Sequence, residues 1–380
     1  MDAPESDQAL NAPVAEEAAL AELPEGVRPP RKTPLRWAIE GSLTVAIVVF
    51  LFLFVIPQVA GSQYHQVVPV LGRISWQDHV LMFTAWAVNI VNYAPVLVSV
   101  TPGLRWRTAL TANLASSAVS NVLPFGGAAG VGATFYMYRS WGIGPATTAR
   151  SVLLSGIWNV FLKFGLPVFA LVLLLFVNDV TPSLLLIAAI GAALLAVSIV
   201  GFVLVIRSDR LARWVGLVAE RIVSFFLKLV RKPAITSWED RLVHFRHESA
   251  ELVKRCWKRT TFWTITYNLT QFGVLWACLI AAGVQTSWSF AVEAFAAFAF
   301  ARLLSAIAIT PSGLGFVEVG LVAAFRKLGV PGPEAIAAVA LFTAYVYLIE
   351  LPTGAAAWVT WAFKKSWRAP VTREASVSAA

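Results

Sequence analysis

The sequence predicts an all-α, polytopic membrane protein with about six full transmembrane helices and two re-entrant broken-helix hairpins arranged as inverted repeats. Three observations lead there. The composition is 58% hydrophobic and 13% charged over 380 residues, with a mean hydropathy of +0.71, far more apolar than a soluble domain. Several apolar stretches reach the roughly 20 residues that a helix needs to cross about 30 Å of hydrocarbon. Finally, one unusual Pro and Gly element occurs twice.

The elements follow in order. Residues 1–34, rich in Ala, Pro and Glu, carry no signal-peptide pattern and read as a disordered cytoplasmic tail. Arg28, Arg31, Lys32 and Arg36 then precede a first span at about 37–60 and place its start in the cytoplasm. Residues 61–77, with Pro69 and Gly72, form an external loop, and a second span at 78–100 returns inside at Arg105 and Arg107. Residues 108–123 are too short and too rich in Ser and Asn for a lipid-facing span, and a Pro and Gly cluster at 123–130 follows. A second short apolar piece ends at Arg139. Backbone broken in hydrocarbon is tolerated only inside protein or beside water, so this unit reads as a re-entrant hairpin.

A span at about 145–177 exceeds the bilayer thickness and must tilt, project or kink near Pro167. Another at 183–206 returns inside to a basic cytoplasmic segment, 207–259. Within it Leu211, Val215, Val218, Ile222 and Phe225 recur at three and four, as in a helix lying on the membrane surface or a solvated connector. A span at 261–282 goes out to an uncharged loop at 284–287, and residues 366–380 form a second cytoplasmic tail. The membrane domain is therefore 35–365.

Sliding the chain on itself by 187 residues puts Pro124 on Pro311, Gly126 on Gly313, Arg139 on Arg326 and Gly142 on Gly329. The repeated unit is a span, a broken short pair and a long span, at about 78–177 and again at 261–363. One extra span separates the copies, so they run in opposite orientations, an arrangement typical of transporters with discontinuous helices at the midplane.

The net charge of +9 does not indicate nucleic acid, because the basic residues flank the spans as positive-inside bias demands and no recognition motif accompanies them. Cys256 and Cys278 have neither zinc nor disulfide spacing and read as free thiols. The four histidines lie at or beyond the edges of the spans, and neither a metal cluster, a Gly-x-Ser-x-Gly elbow nor a Walker loop is present. The expectation is a protein that is not an enzyme, with no cofactor and no metal.

At the second break Pro311 ends one helix, Ser312 can cap the next, and Gly313 and Gly315 bare its first N–H groups. A helix N-terminus facing a cavity favours phosphate. Pro124, Gly126, Gly127 and Gly130 offer the same device at the first break. A plain turn would use the same residue types; duplication favours substrate binding. Ionisable residues inside spans need partners or water. Arg302 and Glu318, on opposite arms of the second break, could pair or handle substrate, Arg302 suiting a lipid phosphate. Lys163 and Glu350 occupy equivalent repeat positions and are the candidates for an intramembrane ion pair.

The stretch from Arg302 to Glu318, with Pro311, Gly313, Gly315 and Glu318 in a Pro-x-Gly-x-Gly-x-x-Glu pattern, resembles the lysylphosphatidylglycerol synthase transmembrane domain family of flippase-like membrane proteins. The cluster at 123–130 is similar to that family's earlier Pro and Gly motif, and the resemblance covers roughly 35–365. It implies a lipid flippase or lipid-binding transporter for an anionic phospholipid in the bacterial cytoplasmic membrane. The alternative is a carrier or accessory membrane subunit for polyprenyl-phosphate-linked sugars or envelope lipid synthesis, with a homo-oligomer or a glycosyltransferase partner. The chain ends soon after Arg368, so the soluble aminoacyl-transferring domain, and with it synthase activity, is not expected.

Overall fold

The computed structural model describes residues 54–62, 64–122, 126–177, 182–207, 238–305 and 315–367, and every regular element among them is helical. The first span apart from its end, the 211–225 stretch, the N-terminal tail, residues 368–380 of the C-terminal tail, Pro124, Pro311, Ser312 and Gly313 lie outside the described residues.

Two short helices, α1 (Ile56–Ala60) and α2 (Tyr64–Leu71), lead to α3 (Trp76–Val100). Ser75 starts α3 with a capping box: its Oγ accepts the Asp78 N–H at 3.2 Å while Asp78 Oδ2 accepts the Ser75 N–H at 2.9 Å. Then come α4 (Trp106–Val122) and α5 (Gly126–Ser140), packed together as a hairpin, and α6 (Pro145–Leu174), which runs on through Pro167. The peripheral α7 (Pro182–Arg207) packs on α6.

α8 (Trp238–Ala281) is a single helix of 44 residues, about 66 Å at 1.5 Å per residue. The expected cytoplasmic segment is therefore helical from 238 onward and continuous with the span. No Pro or Gly interrupts residues 238–272, and Lys254 donates to Glu251 one turn away at 2.8 Å.

The second hairpin is α9 (Trp288–Leu304) and α10 (Phe316–Lys327). It leads to α11 (Gly332–Thr343), a π-helical turn at Ala344–Leu348 and α12 (Glu350–Phe363). The last span is irregular at Ala344–Leu348, just before Pro352. Pro352 has no N–H for the carbonyl of Leu348, and the ladder widens there, Ile349 N–H reaching Ala344 O at 3.1 Å.

Four stretches are long and apolar enough to cross a membrane: Trp76–Val100, Pro145–Leu174, Glu248–Ala281 and Gly332–Phe363. Their outer faces expose Phe83, Val88, Phe169, Val172, Phe262 and Val359, a belt that water would not tolerate and lipid solvates. The chain is a multi-pass membrane protein.

Inside, α3 packs along α8, and Asn89 Nδ2 joins them by donating to Tyr267 O at 2.9 Å and Thr270 Oγ1 at 3.1 Å. α4 packs on α12 and α9 on α6. The α5–α6 and α10–α11 turns are the same left-handed glycine cap. Gly142 has φ +79° and Gly329 +84°, while Ile143 N–H bonds Tyr138 O at 2.9 Å and Val330 N–H bonds Phe325 O at 3.0 Å.

Candidate functional site

Two cavities matter. The larger, about 660 Å³, lies where the α3–α4 connection meets the α5–α6 turn, and Arg105, Trp106, Arg107, Trp141 and Trp367 line it. Basic and aromatic side chains at helix ends are what the headgroup layer of a bilayer selects. The smaller, about 410 Å³, lies among the helices themselves and is the candidate site because it gathers charged groups from spans far apart in sequence.

One wall of this cavity is α4, which contributes Asn113, Ser116, Ser117, Ser120 and Asn121. These recur at three and four residues, so they share one helix face. A second wall is α6, where Ser151, Ser155, Asn159 and Lys163 follow each other every four residues. α8 adds Tyr267 and Gln271, α9 adds Arg302 and Ser305, and the π-helical turn presents Val346 and Tyr347 just before Glu350.

The charges are arranged unlike the sequence expectation. Lys163 and Glu350 both line the cavity but do not form an ion pair. Glu350 instead accepts from Asn121 Nδ2 at 3.0 Å. Lys163 and Arg302 line the same cavity. Arg302 Nη2 donates to Asn268 Oδ1 at 3.3 Å, and its Nε has no partner among the described residues.

Nor does Arg302 meet Glu318. Glu318 is 1% exposed, with Oε2 accepting the Gly315 N–H at 2.6 Å and Oε1 accepting Thr343 Oγ1 at 2.9 Å. It caps α10 from within the helix, as an acidic third residue does, and ties that helix to α11. Gly315, at φ +91°, provides the left-handed entry to α10, and its N–H is already used. Both carboxylate oxygens of Glu318 are thus engaged by Gly315 and Thr343, and neither Glu318 nor Gly315 lines the cavity.

Gly126 and Gly130 also act through packing. A Cβ on either would strike Ser120, and one on Gly130 would also lie 2.8 Å from Ser116 O, so the two glycines let α5 press against α4. Gly127 faces open space. Of the residues singled out from sequence, the cavity brings together Arg302, Lys163 and Glu350.

A protein-family profile described as the lysylphosphatidylglycerol synthase TM region matches residues 41–354. The chain belongs to that family. The match spans every helix of the cavity, so the site is part of the family domain. Membership makes this a membrane protein concerned with lipid. Comparison with curated proteins gives no match.

Proposed function

We propose that this member of the family is a flippase-type transporter that carries an anionic lipid across the bacterial cytoplasmic membrane, its headgroup passing through the cavity between α4, α6, α8 and α9. One observation carries the reading: Lys163 and Arg302 face a membrane-embedded cavity without an acidic ion-pair partner among the described residues. Buried cations at such depth are costly unless a counter-charge arrives, and a lipid phosphate is the anion that a bilayer supplies.

The architecture supports the same reading. Under the 187-residue shift, α3 to α6 fall on α8 to α12, and contacts exchange accordingly: α4 on α12 corresponds to α9 on α6. We read these as inverted repeats within six full spans, the other two being 37–60 and 182–207. Arg105 and Arg107 place the α3–α4 connection in the cytoplasm, and both termini with it.

The second reading, carriage of a polyprenyl-phosphate-linked sugar, is favoured by the hydroxyl and amide walls of the same cavity. Proteoliposomes carrying fluorescent phosphatidylglycerol, cardiolipin or polyprenyl phosphate provide the test. Movement of one class above protein-free vesicles, lost in a folded Arg302→Ala variant, is the expected result. Absence of movement of every lipid under several ion gradients would refute transport and leave an accessory subunit of lipid synthesis.

A further inference from the structure

We infer that the cavity takes a lipid whose phosphate carries a neutral polyol larger than glycerol, a sugar or inositol-type ring, with the phosphate between Lys163 and Arg302 and the ring along the α4–α6 walls. The inference rests on the proposal that this cavity is the lipid site, and it follows from how donors and acceptors are distributed there.

The charged end calls for one anion. Lys163 and Arg302 outnumber Glu350, whose carboxylate is already held by Asn121. A phosphodiester, with one negative charge and no donor of its own, matches the free Arg302 Nε and the Lys163 ammonium. A headgroup bearing an added ammonium would bring a third cation into a cavity already lined by Lys163 and Arg302.

Part of the remaining wall calls for donors, beside groups such as Ser120, Tyr347 and the Gln271 amide that can also give a hydrogen. Ser116 and Thr134 use their hydroxyl hydrogens on their own helices, bonding Asn113 O at 3.1 Å and Gly130 O at 3.0 Å, and Ser155 bonds Val152 O at 3.1 Å. What they turn toward the cavity is oxygen lone pairs. Asn159 donates to Ser155 O at 3.0 Å and Asn121 to Glu350, which leaves their amide oxygens to accept. Gln271 makes the demand explicit, for it is 5% exposed and its Oε1 has no partner among the described residues. A buried acceptor left unmet is destabilising, and a ligand hydroxyl would meet it.

A phosphate alone supplies no hydrogen to any of these oxygens, whereas the hydroxyls of a sugar or cyclitol supply several. The polar stripe is also long. From Lys163 to Ser151 it runs three helical turns, about 18 Å, so a single glycerol would leave most of it unused.

The test is binding, read apart from transport. Purified full-length protein in detergent is titrated with dioctanoyl phosphatidylinositol, a short polyprenyl phosphoryl-hexose, dioctanoyl phosphatidylglycerol and its lysyl ester, with affinity read by native mass spectrometry. At least one ring-bearing lipid should bind about tenfold or more tighter than phosphatidylglycerol, about 1.4 kcal/mol, and the lysyl ester weakest. Which of the two wins distinguishes an inositol headgroup from a sugar on a polyprenyl carrier. Gln271→Leu should narrow the ratio between ring-bearing lipid and phosphatidylglycerol, Arg302→Met should weaken both, and Ser155→Ala replaces Gln271→Leu if that variant does not fold. Equal or tighter binding of phosphatidylglycerol or its lysyl ester overturns the inference, as does an unchanged ratio in the folded wall variant. Ring-selective binding without movement in proteoliposomes would sink transport and leave the inference standing; unselective movement of phosphatidylglycerol would do the reverse.

Discussion

Asn121 on α4 donates its amide to the Glu350 carboxylate on α12 at 3.0 Å, across 229 positions of sequence. The bond fixes the first hairpin to the last span at the cavity wall. At the cavity wall Glu350 meets this amide and not a lysine. Asn121→Leu should lower stability by about 1–2 kcal/mol, the upper part of the range for interhelical hydrogen bonds in membranes. Glu350→Gln should cost less, because its carbonyl still accepts from Asn121. Thermal unfolding in detergent checks both, and equal losses would show that the bond is not what holds Glu350.

Glu318 separates capping from substrate handling. Glutamine also serves as the third residue of a capping box, so Glu318→Gln should fold and retain transport. Glu318→Ala strips partners from the Gly315 N–H and the Thr343 hydroxyl and should cost about 2–4 kcal/mol, two unmet polar groups at about 1–2 kcal/mol each. Should Glu318→Gln abolish lipid movement at an unchanged melting temperature, the carboxylate acts on substrate after all.

The two break glycines make a paired prediction. Gly130→Ala drives a methyl into Ser120 and toward Ser116 O, an overpacking cost of about 1–3 kcal/mol. Gly127→Ala meets nothing within reach and gains helix propensity, up to about 1 kcal/mol. Opposite shifts in unfolding temperature are expected. A destabilising Gly127→Ala would count against reading the cluster as a packing device.

Val68 and Lys254 are exposed and lie on opposite sides of the membrane if positive charge marks the cytoplasm. Val68→Cys should react with an impermeant maleimide in intact cells, and Lys254→Cys only after permeabilisation. Cys256 and Cys278 are buried and contribute little background. The reverse labelling pattern would invert the assigned topology.

Much of the helix layout was legible because lipid imposes long apolar runs, and Pro145, Pro331 and the Ser75 to Asp78 box mark helix starts plainly. What escaped was register inside the domain. Lys163 and Glu350 looked like partners because they occupy matching repeat positions, yet pairing depends on which face each helix turns inward. The polar wall is written in the sequence as spacing: Ser151, Ser155, Asn159 and Lys163 at fours form a stripe, and the Ser and Asn of 108–123 fall at threes and fours on one face of α4. Glu318 is legible as a residue needing a partner, but that partner is the local Gly315 N–H and not a distant cation.

The matching halves are unequal in a way that bears on mechanism. Shifted by 187 residues, Thr134 falls on Leu321, Tyr138 on Phe325, Ser151 on Ala338 and Ser155 on Phe342. Those second-half residues form dry core, none more than 5% exposed, so the polar cavity has no polar mirror image. Alternation by exchange of repeat conformations would have to open this apolar packing to the other side. Thr134→Cys, partly exposed in the cavity wall, should therefore react with a small hydrophilic thiol reagent at rest, and Phe342→Cys only while lipid is being moved. If Phe342→Cys stays unreactive throughout sustained transport, repeat exchange is excluded. The headgroup would then have to cross along a groove at the protein surface while its acyl chains remain in the bilayer.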